Sequence, residues 1–165
     1  MITGHSVEIT DSVLDGAVDL GVVYLPLQNP EIEVILFHSE PFQLIEEQYT
    51  FGIFLVDTDE LIGIIELTEV VRGSLQSCWL GYCLDHSHNG HGYTTEAVRP
   101  VVDHAFEILK LHRIEAGVMP HNIGSIRVLE KVGLHKEGLS KKNVKINGRW
   151  EDHLHFAIVN PNDSD

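Results

Sequence analysis

The chain has 165 residues, 25 of them acidic against 11 Lys plus Arg, and a formal charge of −14. That length can bury a sizeable core without disulfides or metal staples, and it is read as one domain over residues 1–165. That charge argues against a nucleic-acid binder, which needs a basic face for phosphates, and suits either a cationic partner or solubility alone.

Taken in chain order, Thr10 and Asp11 cap a predicted helix over 12–20 whose apolar stripe is Val13, Leu14, Ala17 and Val18. From 25 to 37, Pro26 and Pro30 break up the pattern, so this stretch is read as irregular although Ile32, Val34 and Leu36 alternate. A second short helix is expected over 41–48. Apolar, β-branched and aromatic residues over 50–56 and 61–71, on either side of the turn Asp57-Thr58-Asp59-Glu60, predict an antiparallel hairpin. Residues 76–84 continue the meander. Cys78 and Cys83 lie on this predicted strand and point to opposite faces, so they are read as reduced thiols.

After that strand comes Asn89-Gly90-His91-Gly92-Tyr93-Thr94, and then a helix over 95–111 with Ala97, Val98, Val101, Val102, Ala105, Phe106 and Leu109 on one face. A glycine-rich turn from a strand into a helix leaves backbone N–H groups unpaired at the positive end of the helix dipole, which makes a phosphate cradle. Glycines also serve any tight turn, so taken alone the motif leaves that plainer reading open. Pro100, inside the helix, removes one backbone hydrogen bond and predicts either a kink or first turns set by the cradle.

A further strand follows over 112–118, then Asn122 as an N-cap, an amphipathic helix over 123–132 and Gly133 as its stop. Asn147-Gly148 between 144–146 and 149–159 is a strong hairpin signal, and Trp150, Asp152, Leu154, Phe156 and Ile158 share one face of the second strand. The tail over 160–165 is expected to fray. No charged-then-apolar leader opens the chain and no apolar run approaches the ~20 residues needed to cross a bilayer, so a soluble, cytoplasmic protein is expected.

This order of elements, with particular residues in it, resembles the acetyl-CoA-binding half of the GNAT acetyltransferase superfamily, most closely its ribosomal-protein N-terminal acetyltransferase branch. The residues that carry the likeness are Trp79-Leu80-Gly81-Tyr82, the loop from Asn89 to Thr94 with Thr95-Glu96-Ala97, Leu111-His112-Arg113-Ile114-Glu115, Asn122 with Ser125, Leu129-Glu130-Lys131-Val132-Gly133-Leu134, Glu137-Gly138, and Asn147-Gly148-Arg149-Trp150 leading to Asp152-His153. The resemblance implies an α/β (α+β) fold: a mostly antiparallel, twisted sheet of six to seven strands flanked by about four helices, with the glycine-rich loop following the fourth strand. It also implies acetyl-CoA as the donor and a primary amine as the acceptor.

Acetyl transfer to an amine needs a held thioester, a neutral amine, donors for the developing oxyanion and an acid for the departing thiolate. By resemblance, the strand 78–84 is splayed from its neighbour to hold the pantetheine arm, and the N–H of Cys83 or Leu84 is the oxyanion donor. The N–H groups of the loop, roughly from His91 to Thr95, would hold the pyrophosphate, so that Asn89, Gly90, His91, Gly92, Tyr93, Thr94 and Thr95 make the cofactor loop. Asn122 would reach the pantetheine or the acceptor's amide region, and Ser125 would protonate the thiolate; their plainer alternatives are an ordinary N-cap and an ordinary surface serine. The family usually has Gln or Arg where Asn89 stands and Gly or Ala where Thr94 stands. Relatives often carry a glutamate where this chain has Val144, which cannot accept a proton. Glu66, Glu69, Glu115 and Asp152 remain as candidate bases, with Glu66 taken forward.

An α-amine has a pKa of about 8 and a lysine amine about 10.4, so a site lacking a strong base suits a protein N-terminus better. A polyamine or aminoglycoside is the alternative acceptor, in keeping with the acidic balance. A CoA-binding protein without catalysis is a second alternative, motivated by Val144. His86, His88 and His91 crowd one loop, but their spacing matches no strong zinc pattern, and no metal is expected. A homodimer is in keeping with similar proteins.

Overall fold

Residues 23–25, 31–41 and 47–163 are described by a computed structural model. The strands are β1 (Val23–Leu25), β2 (Ile32–Pro41), β3 (Glu47–Leu55), β4 (Glu60–Val71), β5 (Ser77–Leu84), β6 (Arg113–Val118), β7 (His135–Ile146) and β8 (Arg149–Val159). The helices are α1 (Tyr93–Glu107) and α2 (Ile123–Val132), with a 3-10 turn at His86–His88. All eight strands form one sheet in the order β1-β2-β3-β4-β5-β6-β8-β7, and every neighbouring pair is antiparallel except β5 and β6. Parallel neighbours need a crossover, and α1 supplies it.

The mixed class and the mostly antiparallel sheet are those expected, but several elements differ. Among the described residues the sheet holds eight strands and the glycine-rich loop follows the fifth, because β1 and β2 precede β3, and β2 occupies part of the stretch read as irregular. Ile32, Val34 and Leu36 are all buried there, and their alternation is satisfied by pairing with Leu55, Ile53 and Phe51 respectively across the ladder. Of the helix expected over 41–48, Pro41 lies in β2 while Glu47 and Gln48 lie in β3; 42–46, like the helix expected over 12–20, fall outside the described residues. The tail expected to fray is tied down as far as Asp163: Asn160 donates its N–H to the His112 carbonyl at 2.8 Å, and His112 Nδ1 lies 2.6 Å from an Asp163 carboxylate oxygen.

Hydrophobic periodicity explains the core. Ala97, Val98, Val101, Val102, Ala105 and Phe106 are buried along α1, which starts two residues earlier and ends four residues sooner than its pattern suggested. The helix runs on through Pro100, itself buried. Phe51 and Ile53 of β3, Ile65 and Leu67 of β4, and Cys78 and Leu80 of β5 face the same core, and the Phe51 ring meets His104 of α1 edge-on at 5.6 Å. The bounds of α2 are those expected. The Asn122 side chain accepts the Ser125 N–H at 3.1 Å, and Gly133 ends the helix at φ 103°.

Two features of the sheet position the site. First, β5 and β6 pair only through Ser77–Arg113, Cys78–Ile114 and Trp79–Glu115, after which Leu80 to Leu84 stay paired with β4 alone. The strands diverge and leave a gap. Second, the far end of β5 lies hard against Gly63 of β4: a Cβ there would sit 2.6 Å from the Cys83 carbonyl oxygen and 2.9 Å from Leu84 Cδ1. Gly63→Ala should therefore cost about 1–3 kcal/mol in a denaturant titration, by pushing the end of β5 off its ladder.

Candidate functional site

The gap opens into two adjoining cavities, of about 710 and 210 Å³, which share Tyr82, Asn122 and Ser125. The larger runs from the glycine-rich loop along the N-terminal end of α1 and one face of α2. The smaller sits between the diverging strands, with Gly81 from β5, Gly117 from β6, Leu129 from α2 and His153 from β8 on its walls.

The loop is built as its sequence dictates. Gly90 and Gly92 take φ 87° and 88°, in the left-handed region that disfavours side chains, and Gly92 caps α1 without a side-chain hydrogen bond. The N–H groups from His91 to Thr95 accordingly find no acceptor among the described residues, while Glu96 N–H begins the helical ladder on the Gly92 carbonyl at 3.1 Å. These donors stand where the helix dipole is positive. Upstream, the Ser87 hydroxyl donates to the Asp85 carboxylate, and His88 Nδ1 lies 3.2 Å from it; these contacts, the serine's first, hold the Asp85 carboxyl below its ordinary range. The His91 ring stacks on Tyr93 at 5.4 Å, and the Tyr93 hydroxyl donates to a Glu31 carboxylate oxygen at 2.9 Å.

Of the residues the sequence singled out, Cys83, Leu84, Asn89, Gly90, Gly92, Tyr93, Thr94 and Thr95 line the larger cavity, and Asn122 and Ser125 line both. His91 lies outside the lining. Asn122 is an N-cap, as the plainer reading had it, and it also stands at the junction of the two cavities.

The carboxylates are elsewhere. Glu66 lines neither cavity and accepts a hydrogen bond from Gln48 Nε2 at 3.2 Å; Glu115 pairs with Arg113 at 3.1 Å; an Asp152 carboxylate oxygen accepts the Lys142 N–H at 2.8 Å; and Glu69 is exposed. Among the described residues, no three His, Cys, Asp or Glu side chains gather as a metal site.

Sequence reasoning missed Arg127, Lys131 and Tyr82. Arg127 and Lys131 stand one turn apart on α2 and put two cations into the wall of the larger cavity, a local exception to a net charge of −14. Helical spacing from Gly124 through Arg127 and Val128 to Lys131 was the signal that could have found them. Tyr82 donates its hydroxyl to the Ser125 carbonyl at 3.1 Å, tying the free part of β5 to the first turn of α2, and burial pushes its pKa up to about 12.

Comparison with known proteins agrees with this geometry. The family model described as the acetyltransferase (GNAT) domain matches residues 24–135. The chain is 63% identical over 118 residues to the probable N-acetyltransferase YjcK of Bacillus subtilis (strain 168), covering 72% of this chain and 65% of that protein. It is 37% identical over 113 residues to the [ribosomal protein uS5]-alanine N-acetyltransferase of Escherichia coli (strain K12), covering 68% of this chain and 58% of that one. The chain thus spans less than two thirds of the length of these curated relatives. Among solved structures, Mycobacterium smegmatis RimJ in complex with CoA-disulfide superposes with a TM-score of 0.69 at 27% identity, over 84% of this chain and 86% of that one. Among the described residues no helix is long and apolar enough to cross a membrane.

The two cysteines provide a readout of the cleft. Burial pushes the Cys78 thiol up to about 12, whereas Cys83 is exposed on the cleft wall. Iodoacetamide at pH 8 followed by peptide mass spectrometry should label Cys83 alone in the folded protein, Cys78 becoming reactive only on unfolding, and a molecule seated in the cleft should slow the labelling of Cys83.

Proposed function

Since the chain belongs to the GNAT acetyltransferase family, whose donor is acetyl-CoA, we propose that it transfers an acetyl group from acetyl-CoA to a primary amine, the α-amine of a protein N-terminus, by direct attack on the thioester. The observation that carries this reading is the continuity of one cleft, from the unpaired N–H groups of the loop to Asn122 and Ser125 at the strand divergence.

The residues divide the work as follows. The N–H groups from Gly92 to Thr95 receive the pyrophosphate, and Arg127 and Lys131 offset its charge in a chain that would otherwise repel it. The free edge of β5 offers its backbone to the pantetheine arm, as a third strand would. The N–H of Leu84, or of Cys83 beside it, donates to the developing oxyanion, and the Ser125 hydroxyl gives a proton to the departing thiolate. The larger cavity falls within the roughly 300–1,000 Å³ usual for small-molecule sites. The net charge of −14 favours a second acceptor class, a polyamine, whose cations the field would draw in.

Calorimetric titration with acetyl-CoA, followed by thiol-release assays with N-terminal peptides, spermidine and an aminoglycoside, tests this proposal. Saturable binding with release on peptides is expected; release on spermidine alone would move the acceptor to the polyamines, and binding without release on any amine would leave a CoA-binding protein. Gly92→Val strains a backbone at φ 88° by about 1–3 kcal/mol and sets a branched side chain beside the cradle, so acetyl-CoA affinity should fall more than tenfold. Ser125→Ala should lower kcat by roughly 100-fold while leaving that affinity within about twofold, as measured by steady-state thiol release and calorimetry.

A further inference from the structure

An amine acceptor arrives as an ammonium ion, and something beside the thioester must take its proton. The carboxylates Glu66, Glu69, Glu115 and Asp152 line neither cavity. The walls of the smaller cavity consist of apolar side chains, glycines, the amide of Asn122, the hydroxyls of Tyr82 and Ser125, and one imidazole, His153. Tyr82 spends its proton on the Ser125 carbonyl. We infer that His153, a buried residue on the wall of the cavity between β5 and β6, is the proton acceptor for the incoming amine.

The ring is prepared for this role by its surroundings. His153 Nδ1 lies 3.3 Å from the Glu151 carbonyl oxygen, and a carbonyl only accepts, so Nδ1 carries a proton and, in the neutral ring, the lone pair is on Nε2. Among the described residues Nε2 has no hydrogen-bond partner. The position a Cβ would take on Gly117 lies 3.6 Å from His153 Cδ2 and 3.5 Å from Trp79, so the imidazole flanks the gap where the strands part. His155, two residues on, does not compete: its ring sits edge-on to Trp79 at 5.4 Å, its buried Nε2 has no hydrogen-bond partner among the described residues, and it lines neither cavity.

The inference rests on the acetyl-transfer reading above. Nε2 of His153 takes one proton from the ammonium. The freed nitrogen forms a C–N bond with the thioester carbonyl carbon and the C–S bond breaks. The Ser125 hydroxyl proton goes to the departing sulfur and is replaced by the second proton that the new amide nitrogen sheds, while the proton on His153 returns to solvent.

His153→Asn keeps an N–H for the Glu151 carbonyl and removes the acceptor nitrogen. In the full chain, with the peptide or amine that the wild type turns over, its kcat should fall by roughly 100-fold or more, with acetyl-CoA affinity within about twofold. Imidazole added to His153→Ala should restore rate in proportion to its free-base concentration, which repairing a packing defect would not do. Should His153→Asn melt before assay, His153→Gln serves in its place. A kcat within threefold of wild type, or a depressed kcat that imidazole leaves unchanged, overturns the assignment. A wild type that turns over no amine removes the proposed function and this base with it, whereas an active wild type with an equally active His153→Asn removes the base alone.

Discussion

Two parallel strands that stop pairing after three residues create a backbone problem that the rest of this structure is arranged around. Leu80 to Leu84 keep their ladder to β4 and lose it on the other side, and β6 continues to Val118 along a diverging path. Unpaired peptide groups in a protein interior are costly unless something hydrogen-bonds them. Here they line a cleft, and a ligand with amides of its own can complete the sheet. Everything near the gap fits that use: α1 begins at one end of it, α2 packs over it, and Gly63 lets β5 lie close enough to β4 to stay in place with a single partner.

The second constraint is electrostatic. A chain with a charge of −14 should repel a polyanion, yet the cleft concentrates the opposite sign. Donors at the start of α1 and the cations Arg127 and Lys131 on α2 line the same cavity. Local donors and charges can outweigh a distributed field because the field is screened over distance while hydrogen bonds at the wall are not. Outside the cleft, the acidic surface remains free to act on whatever approaches from solvent.

The sequence was most legible where structure is local. Asn122 and Gly133 bracket α2 at the residues expected, since a cap and a left-handed stop are decided by a few neighbours. The loop was legible for the same reason, its glycines taking the backbone angles that only they accept easily. The hairpins read over 50–56 with 61–71 and around Asn147-Gly148 pair antiparallel as expected, but the reading of 25–37 as irregular did not hold: Ile32, Val34 and Leu36 alternate as a strand should, and the ladder with β3 outweighs the flanking prolines. The divergence of β5 from β6 is a relation between two strands, so no periodicity within either one reports it. Arg127 and Lys131 were missed because α2 was read for its apolar stripe and its cap, and not for what its opposite face carries.

The tie between Tyr82 and Ser125 bears on how this protein can be studied. It is a single hydrogen bond joining the two walls of the cleft, and burial holds the Tyr82 proton until about pH 12. This tie between the two walls therefore keeps its proton over the whole range in which amines and imidazoles titrate. A pH–rate curve for this chain would trace the groups that exchange protons without a contribution from loss of this particular tie.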